Sequence, residues 1–192
     1  MTYFKVTPIY DNSAGAPVIP TVDDSFSALV GITPEHHEIH EGDAYYAIRS
    51  ALLNSAGTIE VRVATPNNTK WAHMLIVIEG ALAGTAELWE GTTKTHSTTN
   101  AITPFNRNRN STKTSALTIC HTPGGAEGAA AGLTKYFGAA SVSGKDSEGG
   151  GANSRSEFIL KQNTAYLLRA TSRADNNAMS IELDWYEHTD DN

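Results

Sequence analysis

The chain has 192 residues, of which 18% are charged, and its formal net charge at pH 7 is -7. A chain of this length can bury a hydrophobic core, so we expect one domain with an additional arm. The acidic balance argues against a nucleic-acid partner, because proteins that neutralise phosphates show clustered basic residues. Few charges combined with many Thr, Ser, Asn, Ala and Gly residues favour a β-rich protein with neutral polar surfaces.

The cysteine content and the apolar runs of the sequence indicate the cellular compartment in which the protein is expected. The single cysteine, Cys120, excludes a disulfide framework within the chain. It lies in an alternating segment, so we predict a buried small hydrophobic side chain rather than a reactive thiol. No secretory signal is predicted, because no basic region precedes an apolar core. The longest apolar run, residues 74–78, is far shorter than the roughly 20 residues of a membrane helix, so we expect no membrane partner and a protein made in the cytoplasm.

The first 27 residues contain three prolines, Pro8, Pro17 and Pro20, and only short apolar stretches. Proline restricts both itself and the preceding residue to extended backbone. We therefore predict an irregular, extended N-terminal arm over residues 1–27. Such an arm orders against a neighbouring molecule or drapes over its own domain, and the sequence leaves both alternatives open.

Residues 35–43 form the densest titratable cluster of the chain. If this segment is a strand, His36, Glu38 and His40 project from one face, where they could bind zinc. The order of these residues is not that of the helical H-E-x-x-H motif, and it differs from the pattern of metal-binding cupins. A polar edge strand produces the same letters, so we predict no metal and no cofactor and keep these three residues only as weak candidates.

Apolar and polar residues alternate through residues 44–90, as half-buried strands require. The run 71–78 is apolar on both faces, which predicts a central strand covered on each side. His73 in this run is expected to be a core or interface residue rather than a ligand. Residues 84–89 are predicted to form the hairpin partner of this strand, with residues 81–84 in the turn.

A long polar segment follows residue 90 and contains the run Phe105-Asn106-Arg107-Asn108-Arg109-Asn110-Ser111. About 20 residues without periodicity are long for a connection inside a compact domain. The run offers many hydrogen-bond donors but no acidic base and no nucleophile. We predict that this Asn/Arg loop (residues 105–111) either contacts neighbouring subunits or braces its own domain through amide hydrogen bonds.

The remaining third of the chain returns to strand patterns. Strands are predicted at residues 115–121, 133–142, 157–160, 165–171 and 179–187, and glycine-rich loops at residues 123–132 and 144–155. The loops lack the spacing of phosphate-binding motifs. In the last strand Met179, Ile181, Leu183 and Trp185 share one face, which fixes the register of this strand.

Roughly eight to ten predicted strands, with no convincing long helix, indicate an all-β protein: a jelly-roll or Greek-key β-sandwich with an extended N-terminal arm. An immunoglobulin-type sandwich is the alternative, and the missing disulfide pair weakens it. The expected organisation is an arm at residues 1–27, a sandwich domain at 28–188 and an acidic tail at 189–192.

No motif predicts an enzyme. The chain lacks the G-x-S-x-G nucleophile elbow, and Glu182 with Asp184 lie on the polar face of a strand, where solvated acids are expected. A metal-dependent cupin-like enzyme would be the remaining alternative of this class, and it would need bound zinc or iron.

An ordered series of segments between about residues 21 and 188 resembles a family of tailed-bacteriophage virion proteins encoded near the capsid genes. The segments are Glu35-His36-His37-Glu38-Ile39-His40-Glu41-Gly42, Thr65-Pro66-Asn67-Asn68-Thr69-Lys70-Trp71-Ala72-His73, Phe105 to Ser111, Glu157-Phe158-Ile159-Leu160-Lys161-Gln162 and Leu183-Asp184-Trp185-Tyr186-Glu187-His188. The resemblance implies a structural protein, a capsid decoration (cement) protein, and less directly a head fibre or another accessory part of the virion.

The resemblance also implies partners and a location: the major capsid protein and further copies of the chain, as a dimer or trimer, on the capsid exterior after assembly in the host cytoplasm. A tail-associated or head-fibre module that binds carbohydrate or a receptor on the host surface is the competing class. Contacts with the capsid are expected from the arm and from the Asn/Arg loop. The candidate residues are Tyr3, Phe4, Val6, Ile9, Tyr10, Asn106, Arg107, Asn108, Arg109 and Asn110.

Overall fold

The computed structural model of the chain describes residues 34–138 and 157–189, together with the backbone of four short strands at 9–10, 17–18, 22–23 and 28–29. The chain divides into two compact units, residues 1–37 and 38–192. The expected arm ended earlier, at residue 27. Within the described ranges, no helix is long and apolar enough to cross a membrane.

The described residues of the first unit form two antiparallel ladders of two strands each. The strands are β1 (Ile9–Tyr10), which pairs with β2 (Pro17–Val18), and β3 (Val22–Asp23), which pairs with β4 (Ala28–Leu29). These ladders interrupt a stretch that was expected to be irregular. Of the predicted arm contacts, Ile9 and Tyr10 form β1, whereas Tyr3, Phe4 and Val6 lie outside the described residues.

An eight-residue helix, α1 (Pro34–Glu41), forms where the sequence interpretation of residues 35–43 was conditional on a strand. Pro34 at its first position is compatible with a helix start, because proline there loses no helical hydrogen bond. The helix ends at Gly42, whose φ of 81° is in the left-handed region. Gly42 N–H donates to Ile39 O at 3.1 Å and Asp43 N–H donates to Glu38 O at 2.9 Å, which is the Schellman arrangement of a glycine-terminated helix.

Between residues 44 and 189, the described parts of the chain form eleven strands after the helix. They are β5 (Ala44–Leu53), β6 (Thr58–Ala64), β7 (Lys70–Gly80), β8 (Gly84–Glu90), β9 (Ala101–Ile102), β10 (Phe105–Asn106), β11 (Thr118–His121), β12 (Leu133–Phe137), β13 (Glu157–Leu160), β14 (Ala165–Ser172) and β15 (Asn177–Thr189). The last strand extends one residue past the expected domain boundary at 188, and residues 190–192 of the predicted tail lie outside the described residues.

The strands form two antiparallel sheets packed together, which confirms the predicted all-β sandwich. The five-stranded sheet has the order β10-β5-β15-β7-β13, and the six-stranded sheet has the order β12-β8-β14-β6-β11-β9. Four of the pairs are nested along the chain: β5 with β15, β6 with β14, β7 with β13 and β8 with β12. Along the chain, β5, β6, β7 and β8 lie alternately in the five-stranded and the six-stranded sheet, so the short connections between them cross from one sheet to the other.

The predicted hairpin between β7 and β8 is therefore wrong, because the two strands belong to different sheets. The crossing is fixed by Asn177, whose side chain is completely buried. Its Oδ1 accepts a hydrogen bond from Leu82 N–H at 2.8 Å, and its Nδ2 donates to Ala83 O at 3.1 Å. Gly84 is also required there, since a Cβ at this position would lie 2.6 Å from the Phe137 ring.

The core lies between the sheets and is centred on β15. Its inner-face residues Met179, Ile181, Leu183 and Trp185 are at most 2% exposed, which confirms the predicted amphipathic register. Burial of each such side chain contributes about 1.5–3 kcal/mol to stability. Cys120 is also fully buried, as predicted, and its Sγ accepts a hydrogen bond from Ser97 N–H at 3.3 Å.

The outer face of β7 differs from the prediction of a strand covered on both sides. Val77 on this face is 47% exposed, and Trp71, His73 and Leu75 are only partly buried. The apolar run reflects a mixed surface on the outside of the five-stranded sheet rather than a third packed layer.

The segment between β8 and β12 adds strands to both sheets and is fastened over the six-stranded sheet by an ionic network. Lys94 Nζ donates to Glu60 Oε2 at 2.8 Å, and Arg169 Nη2 donates to Glu60 Oε1 at 2.5 Å. Arg169 also pairs with Glu127, and its guanidinium lies 4.7 Å from the centre of the Trp89 ring. The network joins residues 94 and 127 of the segment to strands β6 and β14.

Candidate contact surface around the Asn/Arg loop

The Asn/Arg loop begins as the edge strand of the five-stranded sheet. Phe105 pairs with Tyr46 and Asn106 with Tyr45 in the adjoining strand β5. Arg107 N–H then donates to Ala44 O at 2.8 Å. Because side chains alternate along a strand, this pairing directs residues 105 and 107 to the outer face of the sheet and residue 106 to the opposite side.

Asn106 is a buried brace. Its side chain is 8% exposed, and its Nδ2 donates to Gly42 O at 2.7 Å and to Lys113 O at 3.1 Å. Its Oδ1 accepts a hydrogen bond from Asn108 N–H at 2.9 Å. One amide therefore connects the end of α1, the edge strand and the return of the loop.

Asn108 continues the bracing toward the helix. Its Nδ2 donates to His40 O in the last turn of α1 at 2.9 Å, and its Oδ1 accepts from Asn110 N–H at 3.1 Å. Ser111 N–H donates to Asn108 O at 2.9 Å, which closes the turn. These contacts agree with the bracing alternative for the amides, and they leave the expected contact with a neighbour untested.

The two arginines of the loop lie on the outside. Arg107 Nη1 donates to Asp184 Oδ1 at 3.0 Å, and both side chains are about one-third exposed. Arg109 is exposed; its Nη1 donates to Asn106 O at 3.2 Å, and its guanidinium lies 4.5 Å from the centre of the Phe105 ring. Phe105 itself is 61% exposed. Phenylalanine and arginine are both enriched at protein interfaces, so this exposed pair is a candidate contact.

Asp43, directly after α1, anchors the base of the loop. Its carboxylate accepts a hydrogen bond from Lys113 Nζ at 2.7 Å and one from Lys70 Nζ at 2.8 Å. Burial raises the pKa of Asp43, but the hydrogen bonds and charges of Lys113 and Lys70 outweigh it and hold the pKa below its usual value. The hydrogen bond to Asp43 also raises the pKa of Lys113.

Glu187, near the end of β15, holds the return of the loop from the inside. Its side chain is almost completely buried, and its Oε1 accepts hydrogen bonds from Trp185 Nε1 at 3.0 Å and from Ser115 Oγ at 2.5 Å. Ala116 N–H donates to Glu187 Oε2 at 3.0 Å. A buried carboxylate is tolerated here because each oxygen has donors.

The outer face beside the loop mixes apolar and acidic groups. One row in register across the sheet consists of Phe105, Tyr46, Asp184, Leu75 and Glu157. Burial raises the pKa of the Tyr46 hydroxyl, and a hydrogen bond with the Glu182 carboxylate raises it further. Large apolar side chains on this face are also exposed; they are Ile48, Leu52, Val77 and Ile159.

The structure does not bring the weak metal candidates together. On α1, His36 and His40 are four residues apart and lie on one side of the helix, whereas Glu38 points elsewhere. Among the residues that the structure describes, no group of three or more His, Cys, Asp or Glu side chains is arranged to hold a metal ion. The cluster formed by His73, Glu157, Tyr186 and His188 was not predicted, although the alternation of the last strand does place residues 186 and 188 on one face.

Comparison with known proteins found no family model that matches the chain, and no curated protein or solved structure that matches it significantly.

Proposed function

We propose that the protein is a virion structural protein that binds the outside of an icosahedral phage capsid and stabilises it by bridging subunits of the major capsid protein. The ordered series of family-like segments supports this function. The observation that carries it is the presentation of Phe105, Arg107 and Arg109 at the edge of an exposed sheet face by a backbone that the side-chain amides of Asn106 and Asn108 hold in place. A preorganised contact loop loses little entropy on binding.

We also propose that the sandwich is a jelly roll. Its eight central strands pair as a nested series, β5 with β15 through β8 with β12, and the series is folded over so that alternate members lie in alternate sheets. Two Greek keys in a double sheet have this arrangement. The remaining described strands, β9, β10 and β11, come from the segment between β8 and β12. Strand β10 extends the five-stranded sheet beside β5, and β11 and β9 extend the six-stranded sheet beside β6.

The contact would combine an apolar anchor with paired charges. Phe105 offers ring surface, while the planar guanidinium groups of Arg107 and Arg109 suit bidentate pairing with carboxylates of the capsid. Each decoration site would span several capsid subunits, so that modest contacts act together. Self-association into a dimer or trimer would add to this avidity. In this proposal the protein needs no cofactor, catalyses no reaction, and binds neither nucleic acid nor membrane.

Attachment to capsids stripped of the protein tests the proposal. We expect the double variant Arg107→Ala/Arg109→Ala to bind at least about tenfold more weakly, since two interfacial charges are lost. Arg173→Ala is the control for the loss of an arginine: it removes one positive charge, against two in the double variant, from an exposed arginine in the connection between β14 and β15. Unchanged attachment of the double variant would show that the two arginines of the Asn/Arg loop do not contribute to the contact with the capsid.

The copy number per particle separates the decoration protein from a host-binding module. A quantified gel of purified virions should show the protein in amounts comparable with the major capsid protein. Only a few copies per particle would contradict the proposal and favour a fibre or tail module. If the double variant fails to fold, its arginines belong to the brace of the domain, and the gel still decides the class of protein.

A further inference from the structure

A cluster of four side chains lies on the outer face of the five-stranded sheet and takes no part in the Asn/Arg loop. His73 is on β7, Glu157 is on the neighbouring strand β13, and Tyr186 and His188 are on β15 at the other side of β7. The register places Tyr186 directly opposite His73. The positions belong to three adjacent strands, β15, β7 and the edge strand β13, and the pairing of these strands fixes their backbones.

The ring of His73 is fixed by two neighbours. Its Nδ1 lies 2.6 Å from Glu157 Oε1, and the ring stacks on that of Tyr186 with centroids 4.7 Å apart. Tyr186 Oη donates to the same Glu157 oxygen at 2.8 Å. The side chain of His73 is only 15% exposed. Glu157 therefore orients the imidazole, and Tyr186 orients Glu157.

His188 meets His73 through the other nitrogen of each ring. The two Nε2 atoms are 2.8 Å apart, and the ring centroids are 4.5 Å apart. On its far side, His188 Nδ1 lies 3.1 Å from the carbonyl oxygen of Thr189. The two Nε2 atoms therefore face each other at hydrogen-bonding distance.

The partners of the two Nδ1 atoms determine where the protons are. An ionised carboxylate and a backbone carbonyl can only accept hydrogen bonds, so Nδ1 carries a proton in both His73 and His188. A neutral imidazole with a proton on Nδ1 has a lone pair on Nε2. Two Nε2 lone pairs that face each other at 2.8 Å repel each other, unless a proton shared by the two rings or a metal ion lies between them.

We propose that His73 and His188 bind a divalent transition-metal ion through their Nε2 atoms. Histidines that ligate metals characteristically donate their other ring N–H to a carboxylate or a backbone carbonyl, and Glu157 and the Thr189 carbonyl occupy these two positions. Imidazole ligands suit zinc, nickel and copper rather than magnesium or calcium. This inference is independent of the proposed function.

The geometry needs only a small adjustment. Zinc–nitrogen bonds of about 2.0–2.1 Å at a tetrahedral angle place two ligand nitrogens about 3.4 Å apart, so the rings must separate by about 0.6 Å. His188 is partly exposed near the end of β15, where its ring can move. With two protein ligands from the described residues, the other coordination positions are open to water or to a ligand from a neighbouring molecule.

Metal titration of the untagged protein, after removal of metals with a chelator, tests the proposal. Cu²⁺ binding is followed by visible absorption and electron paramagnetic resonance, and Zn²⁺ binding by calorimetry at neutral pH. We expect one ion per chain, and at least about tenfold weaker binding in His188→Ala and in His73→Ala. Glu157→Gln, which keeps both ligands, should weaken binding by about 10–100-fold, because the group that orients His73 loses its charge.

Matched controls separate this site from other histidines. The double variant His36→Ala/His40→Ala removes two imidazoles from α1 and should bind the metal like the unmodified protein. Circular dichroism confirms the fold of each variant, and His188→Gln replaces His188→Ala if the alanine variant does not fold. Equal affinity of the unmodified protein and the His188 variant would overturn the proposal. So would nitrogen chemical shifts showing that the ring pair keeps one shared proton in the presence of excess Zn²⁺.

Discussion

Replacement of Asn106 by Ala is the most direct test of the bracing role of the Asn/Arg loop. The side chain is buried, donates to the carbonyls of Gly42 and Lys113, and accepts the N–H of Asn108. Alanine keeps the backbone of the edge strand but removes all three hydrogen bonds. The Gly42 carbonyl loses this partner at a buried residue, whereas Lys113 is exposed and Asn108 is partly exposed.

The expected cost follows from these three contacts. A neutral hydrogen bond contributes about 0.5–1.5 kcal/mol net, and a buried group that is left without a partner costs about 1–3 kcal/mol. Water can hydrate part of the loop after the substitution, which reduces the sum. We therefore expect Asn106→Ala to lower the free energy of unfolding by about 2–4 kcal/mol.

Urea unfolding followed by tryptophan fluorescence measures this free energy, because Trp185 is buried in the core. Asn110→Ala is the matched control: Asn110 is exposed in the same loop, and the chemical change is identical. The control should remain within about 0.5 kcal/mol of the unmodified protein. If Asn106→Ala is as stable as Asn110→Ala, the loop does not depend on this amide, and the bracing role is refuted.

Three further predictions concern the surroundings of the loop. Gly42→Ala should cost about 1–3 kcal/mol in the same urea experiment, because φ is 81° and the new Cβ would lie 2.7 Å from Ser111 Cβ. Glu187→Ala should lower the free energy of unfolding by about 3 kcal/mol or more, since buried donors including Trp185 Nε1 lose a charged acceptor; partial recovery in Glu187→Gln would confirm that cause. The pKa of Asp43 is lowered in the folded protein, so its contribution to stability is present above the unfolded pKa of about 3.9 and is lost as the pH falls through the folded pKa. Asp43→Asn should therefore flatten the dependence of the free energy of unfolding on pH in that acid range. An unchanged dependence would contradict this linkage.

The alternation of apolar residues predicted the strands well where one face of the sheet is buried. The inner-face residues of β15 are all in the core. A shift of the register by one residue would expose all of them, so the alternation specifies which face is buried. The burial of Cys120 was predicted for the same reason. In contrast, the apolar residues of β7 occur on both faces although only one is packed between the sheets, so composition alone could not reveal that the other face is exposed.

Pairing between strands was less accessible to sequence reasoning. The short connection after β7 looked like a hairpin turn, since a few small residues separate two strands. The alternative, a crossing between sheets, depends on the buried side chain of Asn177, which lies far along the chain. Helix α1 was not predicted because its eight residues include a single large apolar side chain, Ile39, and so lack the apolar periodicity of an amphipathic helix, although Pro34 and Gly42 occupy the positions that begin and end a helix. His73 and His188 meet only because β15 lies beside β7, a pairing that neither strand predicts alone.

The alternating amides and guanidinium groups of the Asn/Arg loop have a common physical explanation. Amides at 106 and 108 can both donate and accept, so they bond to backbone groups of the loop, α1 and the returning chain, which need both kinds of partner. Guanidinium groups at 107 and 109 only donate and stay charged, which favours positions beside solvent and carboxylates. Phe105 and Asn106 alternate as strand residues do, and in the turn that follows Asn108 bonds to α1 while Arg109 stays exposed. Bracing and contact are therefore compatible, and the two alanine experiments address different sides: Asn106→Ala should reduce stability, whereas Arg107→Ala/Arg109→Ala should reduce attachment and leave stability nearly unchanged.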